Sequence, residues 1–298
     1  MQEVNTTTNG IHSDTKTDQV SPYLKYNHEI VNDYDSTRLP VGLDYLQNSL
    51  KELKKIRGNA NDLSSIQLLE IACGSGNYLT RLANQVDSAY GIDLNQAMLD
   101  QCRAKLDRLQ LKAELVQARV PTLPFDDQQF DIIYNCQMLH HLSGGVTTLL
   151  QFFVEINRVL KDQGMIIINF TTKEQIDSYW YMDLIPRAKQ LIIDRCFTLD
   201  QVRTTLTQAG LVVDDVDIIY DTLQQQNVYL DPAGPLSVSY RNGDSTWSKA
   251  TLQEVQHAEF KLKQMLKLNT ALKYVQTRDQ IRQKLGQSVM IRARAHHD

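Results

Sequence analysis

The chain has 298 residues, 42% hydrophobic and 22% charged, with 31 Lys and Arg against 35 Asp and Glu for a net charge of −4. That length supports one substantial core rather than two equal ones, and that balance offers no basic surplus to hold nucleic acid. No apolar segment approaches the length needed to span a bilayer, and the start lacks the basic-then-hydrophobic order of a secretory leader. Cys73, Cys102, Cys136 and Cys196 stand apart, without CxxC spacing or histidines at ligand distance. They read as small buried side chains in a reducing, cytoplasmic setting, with no metal site expected.

Residues 1–22 are rich in Thr, Asn, Asp and Gln and nearly lack large apolar side chains, so they are expected to form a disordered tail. Residues 23–62 read as helices, with Ile30, Val31, Leu43, Tyr45 and Leu46 on the apolar side and a polar joint at Asn59 to Asp62. Next comes LLEIACGSGNYLTRL, from Leu68 to Leu82: a buried strand, a Gly-Ser-Gly turn, then a helical pattern. Gly74 and Gly76 permit positive φ and close approach of a ligand to the backbone. The free N–H groups of the following helix would face that ligand.

Asp93 ends a short apolar strand about twenty residues after the turn. A carboxylate there can accept both hydroxyls of a ribose, although the same residue also stands where an N-cap would. A dinucleotide fingerprint wants a third glycine where this chain has Leu79. Glu70, just ahead of the turn, would repel a pyrophosphate and suit an ammonium or sulfonium.

Beyond this point strands and helices alternate, the pattern of a parallel sheet covered on both faces. Strands are expected near Gln67–Ala72, Ala89–Asp93, Ala113–Gln117, Asp131–Cys136, Gly164–Phe170, Leu211–Ile219 and Ser288–Ala293. Phe197 to Leu211 reads as a helix capped by Thr198 and stopped by Gly210. Two segments are extra to the sheet: Thr171 to Cys196, and 221–287, which holds a strongly helical run from Thr251 to Leu268. Both leave the carboxyl edge of the sheet, where open α/β folds bind ligands. Trp180, Tyr181, Tyr240 and Trp247, with Tyr179, are concentrated there. They would either line an acceptor pocket or pack a helical cap onto the core.

Taken together, LLEIACGSGNYL, YGIDLNQAML, VPTLPFDDQQFDIIYNCQMLHHL and EINRVLKDQGMIIINF resemble the class I S-adenosylmethionine-dependent methyltransferases, in the branch similar to ubiquinone/menaquinone-type small-molecule enzymes. The resemblance runs over about residues 24–218, with a last strand near 288–293. It implies a Rossmann-like, seven-stranded, mostly parallel sheet with helices on both faces. Added to it would be an N-terminal helical lid (23–62) and a helical cap (221–287) before the last strand, around a methyltransferase domain of 63–220 and 288–298. It also implies S-adenosylmethionine as cofactor. Glu70, Cys73, Gly74 and Gly76 would surround the methionine portion, Asp93 the ribose, and Leu94 and Met98 the adenine. Arg119 and Val120 would lie at the adenine edge, where many relatives carry an acidic residue in place of Arg119. Asn135 and Cys136 would flank the carboxylate and sulfonium. Tyr34 and Arg38 resemble a segment that folds over the cofactor, an arginine suiting a carboxylate bidentately, though four-residue spacing also fits a helix-surface pair.

A sulfonium methyl needs mainly alignment with its acceptor. A base is required only if the acceptor must lose a proton. His140 and His141 are the candidates, since imidazole titrates near neutrality, with helix capping as the structural alternative and Asp183 and Tyr181 behind them. The expected activity is methyl transfer to a small molecule by a monomer or homodimer, without nucleic-acid or membrane partners. A protein or nucleic-acid methyltransferase is disfavoured because the fourth strand ends in Asn135-Cys136-Gln137-Met138 rather than an NPPY-like tetrapeptide. A non-catalytic cofactor-binding protein is the other alternative.

Overall fold

The computed structural model describes residues 39–57, 66–220 and 226–297. Tyr34 and Arg38 therefore lie outside the described residues. Helix α1 (Leu43–Ile56) leads into β1 (Gln67–Ile71), short α2 (Leu79–Leu82), β2 (Ser88–Asp93), α3 (Gln96–Arg108), β3 (Glu114–Gln117) and β4 (Phe130–Cys136). Then follow α4 (Gly145–Val159), β5 (Leu160–Phe170), α5 (Lys173–Asp177), α6 (Pro186–Ile193), α7 (Leu199–Gln208) and β6 (Leu211–Ile219). Helices α8 (Val238–Asn242), α9 (Leu252–Lys267) and α10 (Ala271–Leu285) precede β7 (Ser288–Ala295).

The strands form one seven-stranded sheet in the order β3-β2-β1-β4-β5-β7-β6. β7 runs antiparallel between β5 and β6, and the other neighbouring pairs are parallel. The order reverses between β1 and β4, so a crevice opens at the carboxyl ends of those strands. Every expected strand is present. β5 starts at Leu160, earlier than expected, because Lys161-Asp162-Gln163 reads as a turn yet Leu160 still pairs with Phe130 across a shift in register.

Alternation along the central strands sends side chains to two cores. Leu69, Ile71 and Ile133 pack with Phe152, Phe153 and Ile156 of α4 and Val202 and Leu206 of α7. Leu68, Ile132 and Tyr134 pack with Leu46, Leu50 and Leu53 of α1 and Cys102 and Leu106 of α3. Each such side chain contributes roughly 1.5–3 kcal/mol by leaving water. In α7 the Thr198 side chain accepts from the Gln201 amide in a capping box, and Gly210 ends the helix at φ 83.

Helix α1 covers the sheet instead of the crevice. Its Tyr45 hydroxyl donates to Asp215 at 2.6 Å, and Glu52 and Asp214 are bridged by Arg292 and Arg294 of β7 at 2.6–2.9 Å. Of the expected N-terminal lid (23–62), residues 23–38 and 58–62 lie outside the described residues, and the described part holds α1, tied to β6 and β7.

The two extra segments form one cap with a core of its own, in which Trp180, Tyr181, Met182 and Ile185 pack against Tyr229, Tyr240, Trp247 and Leu262. Segment 171–196 is thus as much a part of the cap as 221–287. Among the described residues no helix is long and apolar enough to cross a membrane.

Candidate cofactor and acceptor site

One cavity of about 800 Å³ occupies the crevice under the cap. Its floor is the turn after β1. Ala72 takes φ 58, Gly74 φ 53 and Gly76 φ 79, and the Cys73 amide donates to the Ile92 carbonyl at 2.9 Å, which ties the turn to β2. Gly74 lines the cavity. Gly76 does not, and a Cβ there would stand 2.5 Å from Cys102 Sγ, so its service is close packing of the turn on α3. Ala72 also lines the cavity. Its position, two residues before Gly74 as Gly74 is before Gly76, is the signal by which the sequence could have shown it.

Asp93 is 2% exposed and lies on the cavity wall. Its Oδ2 accepts from the Gly74 amide at 2.9 Å and its Oδ1 from the Asn95 amide at 2.8 Å. The N-cap of α3 is Asn95, whose Oδ1 accepts from Ala97 and Met98. Asn95, not Asp93, is thus the cap of α3, and Asp93 instead ties the turn after β1 to the end of β2.

Glu70 touches the cavity from below while only 2% exposed. Burial pushes its carboxyl well above the usual carboxylate range, against the opposing hydrogen bond donated by the Tyr134 hydroxyl at 2.9 Å. A cation arriving at this wall would favour the ionised form. The Cys73 thiol is pushed well above its usual range by its hydrogen bond with Cys102 and by burial, and burial does the same to Cys136. Both thiols are thereby held protonated, and the cysteines are free.

Leu94, Arg119 and Val120 line the cavity, as does Cys136. Met98 is fully buried behind the wall. Asn135 also stays out of the cavity: its Nδ2 donates to the Ile71 carbonyl at 2.8 Å, joining the ends of β1 and β4, and its Oδ1 has no partner. Strand parity explains the pair, since Cys136 takes the side of Tyr134 and Asn135 the opposite one.

His140 and His141 sit in a tight turn with ring centroids 4.1 Å apart, and both line the cavity. Trp180, Tyr181, Tyr240 and Trp247 are buried in the cap and do not line it. The Trp180 Nε1 donates to the Tyr229 carbonyl, and the Tyr181 hydroxyl donates to Asp244. The cap instead presents Tyr179, Arg195 and the Asp244-Ser245-Thr246 loop, residues that composition alone does not separate from their neighbours. Asp183 pairs with Lys189 and Arg278 and is absent from the cavity wall.

Residues 69–168 match the model of the family described as a methyltransferase domain. Within those residues the chain is similar to the class I S-adenosylmethionine-dependent methyltransferases. The curated relatives include a ubiquinone biosynthesis O-methyltransferase of Rickettsia bellii, 25% identical over 130 residues that make up 44% of this chain and 50% of that protein. A phthiotriol/phenolphthiotriol dimycocerosates methyltransferase of Mycobacterium tuberculosis is 37% identical over 106 residues, 35% of this chain and 37% of that one. The chain thus spans half or less of the length of these relatives. In fold it is similar to the YcgJ protein of Bacillus subtilis, with a TM-score of 0.55 at 17% identity over 85% of this chain and all of that one. S-adenosylmethionine is the cofactor that the resemblance of this domain implies. The glycine turn open to the cavity, the paired oxygens of Asp93 and the buried acid Glu70 fit its ribose and cationic ends.

Proposed function

We propose that the protein transfers the methyl group of S-adenosylmethionine to a small-molecule acceptor held between the sheet edge and the cap. The observation that carries this reading is the continuity of the cavity. It runs from Gly74 and Asp93, past Cys136 and the histidine pair, to Tyr179, Arg195 and Asp244 on the cap. At about 800 Å³ it falls in the upper part of the range for enclosed ligand sites, roughly 300–1,000 Å³. That is room for more than one ligand, under a roof that suits a compact acceptor better than a polymer. The names of the relatives in ubiquinone and dimycocerosate methylation support the same class of acceptor.

The bound cofactor supplies an already activated methyl on its sulfonium. In this reading Asp93 receives the ribose, and the Gly74 turn admits the backbone-close portion. Leu94, Arg119 and Val120 border the adenine, and Glu70 faces the cationic end. The cap excludes water and holds the acceptor in line, the effect that dominates such displacements. His140 and His141 are placed to accept a proton where the acceptor loses one. We read the protein as cytoplasmic, from its four free thiols, and as a monomer or homodimer. Its organisation is read as a sheet domain (63–220 and 288–298) bearing a cap.

Calorimetric titration with S-adenosylhomocysteine tests the cofactor half of this reading. Incubation of S-adenosylmethionine with metabolite pools, protein and RNA, followed by mass spectrometry for methyl gain, tests the acceptor half. Methylated protein or RNA with no small-molecule product would overturn it.

A further inference from the structure

We propose that the acceptor carries an anionic group, a carboxylate or its equivalent, recognised by Arg195 on the cap wall. This inference rests on the methyl-transfer reading and names the acceptor class for that same site. Arg195 lies just beyond α6, is half-buried and lines the cavity together with Ile176, Tyr179 and Ile192. Among the described residues its guanidinium makes no hydrogen bond or ion pair. Of its polar groups only the backbone amide is engaged, donating to the Ile192 carbonyl at 3.0 Å.

The other charged groups on the wall differ. Asp93 has both oxygens committed to amides. Asp244 accepts from the Tyr181 hydroxyl and, at 2.7 Å, from the Thr246 amide, so its carboxylate builds the loop that carries it. Glu70 sits at the far, cofactor end beneath the turn, bonded to Tyr134. Arg119 is exposed and adjoins Val120 at the adenine end. Arg195 is thus the cation of the acceptor end with no described counter-charge.

Arg195 is half-buried beside apolar walls, and its guanidinium brings five N–H donors to them. Its planar donor fork matches a carboxylate bidentately. Ile176, Tyr179 and Ile192 would meanwhile cover an apolar or aromatic body. An acceptor with a ring or chain and one acidic group satisfies both halves of this wall.

The test uses the full chain saturated with S-adenosylhomocysteine, titrated with benzoate, benzamide and benzylamine as isosteric probes of negative, neutral and positive charge. Ligand-observed NMR gives the three affinities. Benzoate is expected to bind best, and Arg195→Gln to weaken it by about 10- to 100-fold, the usual worth of a hydrogen-bonded charge. Arg195→Lys should restore part of the preference, with S-adenosylhomocysteine affinity unchanged in both variants. Equal binding of benzamide, stronger binding of benzylamine, or a benzoate preference that survives Arg195→Gln would overturn the proposal. The same titrations without S-adenosylhomocysteine keep the two readings apart. Failure of the cofactor product to bind strikes the methyl-transfer reading, whereas charge-blind probe binding strikes the role of Arg195.

Discussion

The Gly74 amide donates to the Asp93 carboxylate at 2.9 Å, so the glycine turn after β1 and the acid after β2 are one hydrogen-bonded unit. The proposed ribose holder therefore also fixes the backbone that a ligand must approach. Asp93→Ala should weaken S-adenosylhomocysteine by at least the roughly 1.5–3 kcal/mol of a charged hydrogen-bond partner and lower the melting temperature as well. Asp93→Asn keeps an acceptor for one of the two amides and should retain more stability than affinity. Calorimetry beside thermal melts separates the two losses. A stable Asp93→Ala variant with unchanged affinity would place the ribose elsewhere.

Ala72 holds φ 58, whereas the other left-handed positions of the turn, Gly74 and Gly76, are glycines. A left-handed alanine costs about 1 kcal/mol or more, part of which glycine returns through the unfolded chain. Ala72→Gly should thus stabilise by roughly 0.5–1 kcal/mol without loss of cofactor binding. Gly76→Ala should do the opposite, because its Cβ would stand 2.5 Å from Cys102 Sγ at φ 79. Denaturant unfolding of both variants checks this, and a destabilised Ala72→Gly would refute the strain account.

Glu70 yields a pH signature. Burial raises its folded pKa above the ordinary value of 4.5. The neutral acid is therefore favoured by folding, and its stabilising contribution is complete below 4.5 and is lost as pH climbs through the raised folded value. A cationic ligand beside it favours the ionised form, so cofactor affinity should rise with pH over the same window, with release of a proton. Melting curves in a pH series, and calorimetry in buffers of different ionisation enthalpy, measure the two trends. Both should vanish in Glu70→Gln.

The fold was legible where strands carry their own punctuation: the apolar runs of β1, β2 and β4 lead to Gly74, Asp93 and Asn135, where the chain turns toward the crevice. Asp93 and Gly74 were readable for the same reason, since local spacing fixes what sits at a strand end. The cap was not. Trp180 and Tyr181 invite a substrate role by size, but facing is decided by contacts between 171–196 and 226–287, which no local period encodes. Tyr179 faces the cavity while the two residues after it are buried in the cap. Gly76 and Met98 miss the cavity for a related reason: Gly76 is occupied with Cys102 of α3, and Met98 is buried behind the wall.

Tyr181 offers a test of that cap. Its hydroxyl donates to Asp244, whose other oxygen holds the Thr246 amide. Tyr181→Phe leaves a buried carboxylate short of a partner and should cost about 1–3 kcal/mol of stability. It should raise the acceptor KM through a loosened 244–246 loop, with S-adenosylhomocysteine affinity unchanged. An unaltered melting temperature and KM would detach the loop from Tyr181.

The histidine pair decides whether the protein supplies a base. The two rings lie 4.1 Å apart on the cavity wall, in the turn that follows β4. If His141 takes a proton from the acceptor, His141→Gln should lower turnover by about 10²–10⁴-fold and leave cofactor affinity nearly intact. The pH–rate profile should then lose its ascending limb near neutrality. The neighbouring His140 is expected to support the turn, so that His140→Gln lowers stability, affinity and rate together while the profile keeps its shape. Full turnover in both variants, with unchanged profiles, would remove the imidazoles from the chemistry and leave alignment under the cap as the source of rate.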